Sequence, residues 1–240
     1  MKKILAVLLA TSSVAVFADS FQDFNNNVYA GYNNMSVNQG QFGNMTSWTI
    51  GSTIQTKNDI WVNVEANDSV YSQKAYIANN AFGPLGSNYA QALVTGKVGY
   101  AFQFFGDNDN GFQVIPYATY TYGTTMTFLN QYYGVGVKPE YRLMNNLKFS
   151  LDMTAYDLTQ SPSGPVSALG PTEVNPALAG QNQSLGYTQD FRYTLNPEIQ
   201  YDIAKTILVS AGYKYDQSFN SNTPNSDGNS TVYAKVGYLF

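Results

Sequence analysis

Apolar and polar residues alternate along most of this chain, in short segments separated by stretches that are rich in Asn, Asp, Gly and Pro. Successive side chains of a β-strand point to opposite faces of the sheet, so the alternation predicts strands with one apolar and one polar face. Ten segments show this pattern, and we predict ten strands, with eight as the alternative. The segments cover residues 27–37, 46–56, 60–66, 90–104, 112–122, 133–141, 147–153, 187–201, 207–215 and 231–240.

Two further properties of the segments indicate that the apolar face contacts lipid. The chain contains 20 Tyr and 14 Phe, yet 12% of its residues are charged, whereas soluble domains average about 25%. Aromatic residues recur at both ends of the segments, as they do at the two interfaces of a membrane. We therefore predict an all-β fold, an antiparallel up-and-down transmembrane β-barrel. The alternative, a soluble β-sandwich or lipocalin-like barrel, would place the apolar face inside.

The charged residues of the segments fall on the polar face, which lines the lumen of such a barrel. An unpaired charge in a narrow lumen is costly, so we expect opposite charges to pair across strands. Asp68 falls on the apolar face instead, and we expect the third strand to end near Ala66 or to contain a bulge there. The predicted lumen ion-pair network comprises Glu65, Lys97, Lys138, Glu140, Arg142, Lys148, Asp152, Arg192 and Glu198.

The connections between the segments alternate between short and long. Bacterial outer-membrane barrels have short periplasmic turns and longer extracellular loops. This alternation therefore places the amino end of the barrel in the periplasm and the long loops outside the cell. The short turns lie near residues 57–59, 105–111, 144–146 and 202–205, and the long loops near residues 38–45, 72–89, 124–131, 157–184 and 218–230.

The first 18 residues have the features of a secretory signal peptide. Lys2 and Lys3 precede an apolar run that ends at Ala18, and this run is shorter than the about 20 residues of a membrane-spanning helix. We assign residues 1–18 to the signal peptide and residues 19–240 to the barrel domain. Without Lys2 and Lys3, the 12 basic residues become 10 against 16 acidic residues, a net charge of −6. That balance argues against a nucleic-acid partner.

The last segment resembles the carboxyl-terminal assembly signal of bacterial outer-membrane proteins. That signal is a terminal Phe, an aromatic residue two positions earlier, and apolar residues at the alternate positions before it. Residues 27–32, 114–118 and 133–137 are similar to strands of the OmpA/OmpX-type small barrels. The resemblance implies a location in the outer membrane of a Gram-negative bacterium, with lipid, lipopolysaccharide and the assembly machinery as partners. The residues that match the signal are Val232, Ala234, Val236, Tyr238 and Phe240.

The composition argues against an enzyme. The chain contains no His and no Cys, and the enzymes among the outer-membrane barrels that it resembles in topology depend on histidine as a base or orienting group. Asp107 and Asp109 are spaced like the start of a calcium loop, but Gly111 comes one position early and no Glu occupies the twelfth position. We predict no catalytic residue, no cofactor and no metal site, and interpret residues 107–111 as a hairpin turn.

Two functions fit such a barrel. The first is a structural and surface-interaction role for a monomer, in which the extracellular loops bind a ligand and the ion-pair network fills the lumen. The alternative is a narrow, porin-like channel for ions or small solutes, in which the same charges select or gate. A barrel of eight to ten strands encloses little open space, and this favours the first function.

Overall fold

The protein's structure, a computed structural model, describes residues 21–36, 44–71, 90–106, 110–124, 128–144, 146–162, 188–219 and 228–240. A short helix, α1 (Gln22–Asn25), precedes the strands. Within the described residues, no helix is long and apolar enough to cross a bilayer. The strands are β1 (Asn27–Ser36), β2 (Asn44–Gln55), β3 (Ile60–Tyr71), β4 (Ala90–Tyr100), β5 (Phe102–Gly106), β6 (Asn110–Thr124), β7 (Phe128–Leu143), β8 (Leu147–Pro162), β9 (Thr188–Ile203), β10 (Ile207–Ser218) and β11 (Asn229–Leu239).

The strands form one closed antiparallel barrel. Apart from β4 and β5, which do not pair with each other, each strand pairs with its neighbours in sequence. β4 pairs with β6, and β1 pairs with β11 to close the wall. The backbone N–H of Phe240 donates to the carbonyl oxygen of Asn26 at 3.1 Å, just beyond this closing pair. Because β4 and β5 succeed each other along one position of the wall and both pair with β6, the barrel has ten strand positions. The prediction of ten strands is confirmed, and the alternative of eight is wrong.

The break between β4 and β5 is explained by a proline in the facing strand. The register of β6 places Pro116 opposite Tyr100, and pairing stops there before it resumes at Phe102. Proline has no N–H, so it cannot donate to the carbonyl oxygen of the facing strand. The N–H of Ala101 instead donates to the carbonyl oxygen of Asp59, in the turn between β2 and β3, at 2.8 Å.

The predicted alternation of faces is confirmed by the exposure of the side chains. Trp48, Val135 and Val236 lie on the outward face and are 68%, 66% and 58% exposed, whereas inward residues such as Glu140 are buried. The soluble alternative is therefore wrong, because it would bury the apolar face. Inside the described strands, charged residues on the outward face are limited to Asp68 and Asp157, and both lie in the loop-side half of the wall.

Several strand ends differ from the prediction. β7 begins at Phe128, so residues 128–131 are strand and not loop. β3 does not end near Ala66 and has no bulge there, because Asp68 pairs in regular register with Trp48 and Ala92. Strand parity places the exposed side chain of Asp68 on the outward face, near the loop end of the wall. β8 continues to Pro162, so residues 157–162 are strand and not loop. The predicted signal peptide, residues 1–18, and the pair Asp107 and Asp109 lie outside the described residues.

Candidate functional site in the barrel lumen

The turn end of the lumen is closed by residues 21–26, which we call the amino-terminal plug. Phe24 is 1% exposed and packs with Leu208 and Leu239. Asn25 is also 1% exposed. The plug turns into the lumen because its phenylalanines find apolar partners there and its amide side chains find polar ones.

Asn25 connects the plug to three strands of the wall. Its side-chain amide nitrogen donates to Gln55 on β2 at 2.8 Å and to the carboxylate of Glu140 on β7 at 2.9 Å. The ammonium group of Lys148 on β8 donates to the amide oxygen of Asn25, and its nitrogen lies 5.6 Å from the ring centroid of Phe24. These bonds satisfy polar groups that would otherwise be buried without partners.

Glu140 is the centre of the charged layer above the plug. Its carboxylate is fully buried, and the ammonium nitrogens of Lys138 and Lys148 lie 2.9 and 3.2 Å from one of its oxygens. Gln113 donates to the other oxygen at 2.6 Å. Arg142, two positions nearer the turn, is 3% exposed. Four side chains therefore donate to this one buried carboxylate, which is not exposed to water. They are Asn25, Gln113, Lys138 and Lys148.

A second ion pair lies farther from the turns. The ammonium nitrogen of Lys97 is 2.5 Å from a carboxylate oxygen of Asp152, and the hydroxyl of Tyr117 donates to the same carboxylate. The Tyr117 ring centroid lies 5.7 Å from that of Trp61, within an inward apolar cluster that also contains Ala101 and Ile115. Apolar side chains therefore fill space between the charged groups of the lumen.

Lys235 occupies the opposite wall between two carboxylates. Its ammonium nitrogen is 3.5 Å from Glu65 and 3.5 Å from Glu198. The hydroxyl of Tyr29 donates to Glu65 at 2.9 Å, and that of Tyr233 donates to Glu198 at 2.6 Å. Each carboxylate thus accepts from a tyrosine and faces a shared lysine.

A fourth charged group lies nearest the loop end. The guanidinium of Arg192 is 2.6 Å from Asp216 and 2.9 Å from Asp190. The hydroxyl of Tyr156 donates to Asp216, and Ser218 donates to Asp190 at 2.6 Å. The arginine contacts one carboxylate of its own strand β9 and one of the neighbouring strand β10, so its charge is balanced within the lumen.

The structure brings some of the predicted lumen residues together and separates others. Lys97 contacts Asp152, and Glu140 contacts both Lys138 and Lys148. Glu65, Glu198 and Arg192 pair with residues outside the predicted set, and Arg142 lies buried on the inward face. Glu65 and Glu198 meet at Lys235, and Arg192 binds Asp190 and Asp216.

Neutral residues of the site were missed by the sequence analysis. The plug lies before the first strand, where no alternation marks it. The inward tyrosines could have been found, because strand parity places them on the polar face, whereas the prediction treated tyrosine as an interface residue. They are Tyr29, Tyr117, Tyr156 and Tyr233.

The described part of the lumen offers polar contacts among charged and neutral side chains. Across the described ranges, no group of three or more Asp, Glu, His or Cys side chains is arranged to hold a metal ion. Six lumen carboxylates contact lysine or arginine, so their charges are balanced inside the barrel. They are Glu65, Glu140, Asp152, Asp190, Glu198 and Asp216. The arrangement can fill and stiffen the lumen.

Among known proteins, the chain is similar to several solved structures. No protein-family model and no curated protein matches the chain. Ail, the attachment invasion locus protein of Yersinia pestis, solved with the heparin analogue sucrose octasulfate, is 14% identical, with 90% of this chain and 97% of Ail covered and a TM-score of 0.39. Neisserial surface protein A is 13% identical, with 89% and 95% covered and a TM-score of 0.35.

An enzyme is among the similar structures as well. The outer membrane protease OmpT from Escherichia coli is 8% identical, with 95% of this chain and 100% of OmpT covered and a TM-score of 0.43. At these identities the likeness concerns the fold alone. In fold, the chain is similar to small bacterial outer-membrane β-barrels.

Proposed function

We propose that the protein is an integral barrel of the bacterial outer membrane that acts through its extracellular loops, with a lumen closed by its own side chains. The observation that carries this proposal is the layer around Glu140. A carboxylate that is 0% exposed and contacted by Lys138, Lys148 and Asn25 supports a lumen that is filled by side chains at that level.

The outer wall supports the membrane location. Its exposed side chains are apolar or aromatic over the turn-side half, and Tyr201, Tyr238 and Phe149 lie outward near the turns. Soluble monomers rarely expose contiguous apolar patches larger than a few hundred Å². In a bilayer, the same surface is the expected contact with lipid, and closure of the barrel satisfies the backbone.

The loops are the remaining candidates for recognition. Connections 72–89 and 163–187 join strands at the same end of the wall, and long loops on a rigid scaffold often carry binding. That end faces the lipopolysaccharide leaflet if the turns are periplasmic. We therefore take lipopolysaccharide as the ligand to test first. An enzymatic role has no support in the residues of the lumen.

Loop binding is tested with the refolded protein immobilised in nanodiscs and purified lipopolysaccharide as the probe. Deletion of residues 164–186 should weaken binding at least tenfold, whereas shortening the turn at 204–206 should leave binding unchanged. Heat-modifiable migration on gels verifies that each variant is folded. Equal binding by the loop deletion and the intact protein would overturn the role of this loop.

A narrow channel is the second candidate function, because the loop-side half of the lumen is partly open. Glu65 is 25% exposed and Lys97 is 19% exposed there. Planar-bilayer recording separates the two functions. The intact protein should give no stable unitary conductance, and a reproducible conductance altered by Glu140→Ala would overturn the closed lumen and establish the channel.

We also propose that the last strand acts as the assembly signal. Val236 and Tyr238 lie outward and are 58% and 56% exposed, and β11 is the strand that closes the barrel on β1. Phe240→Ala should reduce the amount of protein in the outer membrane of expressing cells while refolding into lipid vesicles proceeds as before. Equal amounts in cells would contradict this role.

A further inference from the structure

Two prolines interrupt the wall of the barrel at one height. β7 and β8 pair on both sides of Pro139 and Leu151, but these two residues are not paired. β9 and β10 likewise pair on both sides of Pro197 and Tyr213, which are not paired. The missing bond in each case is the one that the proline nitrogen would have to donate. The carbonyl oxygens of Leu151 and Tyr213 therefore receive no N–H from the facing strand.

These interruptions belong to a single groove on the outer wall. Leu151 pairs with Pro197, so the row continues across β7, β8, β9 and β10 without a change of height. A groove of about 620 Å³ follows this row on the outward face and is lined by all four of its residues. Phe112, Tyr141 and Phe149 line the groove toward the turns.

The groove has an apolar lining, and two of its lining residues, Leu151 and Tyr213, have carbonyl oxygens that receive no N–H from the facing strand. A hydrocarbon chain fits the lining, but it has no donor for the carbonyl oxygens, and lipid tails supply none either. A buried acceptor without a donor is unfavourable, so a ligand that brings a hydroxyl group gains an interaction that an unsubstituted chain lacks. The site should therefore prefer lipids that carry a hydrogen-bond donor within their hydrocarbon chain.

We propose that this groove binds a hydroxylated long-chain fatty acid. The chain lies along the groove, and its hydroxyl donates to the carbonyl oxygen of Leu151 or Tyr213. A volume of about 620 Å³ suits a single chain with a small head group better than a two-chain phospholipid. This inference rests on the membrane location in the proposed function, but on neither the loops nor the closed lumen.

The test compares two probes on the refolded protein in detergent micelles, 12-hydroxystearate and stearate, by isothermal titration calorimetry. The intact protein should bind the hydroxylated chain at least about fivefold more tightly, the effect of roughly one hydrogen bond. The double variant P139V/P197V restores both backbone donors and should lose this preference. The matched control is Pro116→Val, because Pro116 interrupts the wall at Tyr100, outside the groove, and this variant should keep the preference.

A second variant decides the matter if the double variant does not refold. Ala211 lines the groove, and Ala211→Phe fills it without changing the backbone donors, so it should weaken the binding of both probes at least tenfold. Equal affinity of the intact protein for both probes, or unchanged binding by Ala211→Phe, would overturn the site. A protein that stays soluble without detergent and shows no heat-modifiable migration would instead contradict the membrane location.

Discussion

The ring of Tyr117 on β6 lies against Gly136, its cross-strand neighbour on β7. A Cβ atom added at Gly136 would lie 2.3 Å from the phenol ring and oxygen of Tyr117, so the tyrosine reaches Asp152 across a position that only glycine leaves open. Tyrosine over a facing glycine is a known device for stabilising a sheet where glycine would weaken it. The same arrangement joins Tyr29 to Gly51 and Tyr233 to Gly212.

Gly136→Ala should destabilise the barrel, because the new methyl group must displace the Tyr117 ring or the strand. Overpacking of this kind costs about 1–3 kcal/mol, measured as the free energy of unfolding by urea in lipid vesicles. Gly96→Ala is the matched control, since a Cβ there meets nothing within 4 Å, and its change should stay within about 0.5 kcal/mol. Equal effects of the two substitutions would contradict the steric explanation.

Glu140→Gln should be among the most destabilising single changes in the lumen. The substitution keeps the size of the side chain but leaves the ammonium groups of Lys138 and Lys148 without their shared carboxylate. Removing one partner of a buried ion pair costs about 3–5 kcal/mol. The measurement is again urea unfolding in vesicles.

The double variant E140Q/K148M is the control for the charge explanation. Because the second change removes one of the two unpaired ammonium groups, the double variant should lose less stability than Glu140→Gln alone. A larger loss in the double variant would show that Lys148 contributes through its contact with Asn25 and not through charge.

The plug should open locally before the barrel unfolds. Phe24→Ala removes the ring that packs on Leu208 and Leu239, so backbone amides of residues 24–26 should exchange with deuterium faster, while those of β7 and β8 keep their protection. Asp23→Ala is the matched control, because Asp23 is the exposed residue of α1. Unchanged exchange in Phe24→Ala would mean that the plug is held by its polar contacts.

Strand parity was sufficient to predict which residues of the wall face outward and which face inward. With lipid outside and charge inside, only one assignment of the two faces fits each strand. The same rule placed Lys97 and Asp152 on the inner face, and the structure joins them. Parity gives the face of a residue but not its height. The shared position of Lys235 between Glu65 and Glu198 depends on the stagger between strands, which the sequence pattern does not encode.

The alternation of apolar and polar residues could predict neither the amino-terminal plug nor the groove on the outer wall, for different reasons. Residues 21–26 carry no alternation, and their location depends on contacts with Gln55, Glu140 and Lys148, which are distant in sequence. Strand parity places Pro139 and Pro197 on the outward face of the wall. The two prolines interrupt strand pairing at the same height because of the register of β8 with β9. That register is a property of the folded wall and cannot be read from the sequence pattern.

A charge on the outer wall should be tolerated near the loops and not at mid-height. Leu195 lies outward on β9 between Tyr201 and Phe191 and is 40% exposed, so Leu195→Arg places a guanidinium in the hydrocarbon, at a cost of about 2–4 kcal/mol. Asp68→Arg is the matched control, because that outward position near the loop end already carries a charge, and its cost should be about 0–1 kcal/mol. Unfolding in vesicles gives both values. Equal costs would place Asp68 inside the hydrocarbon layer and would shift the membrane toward the loops.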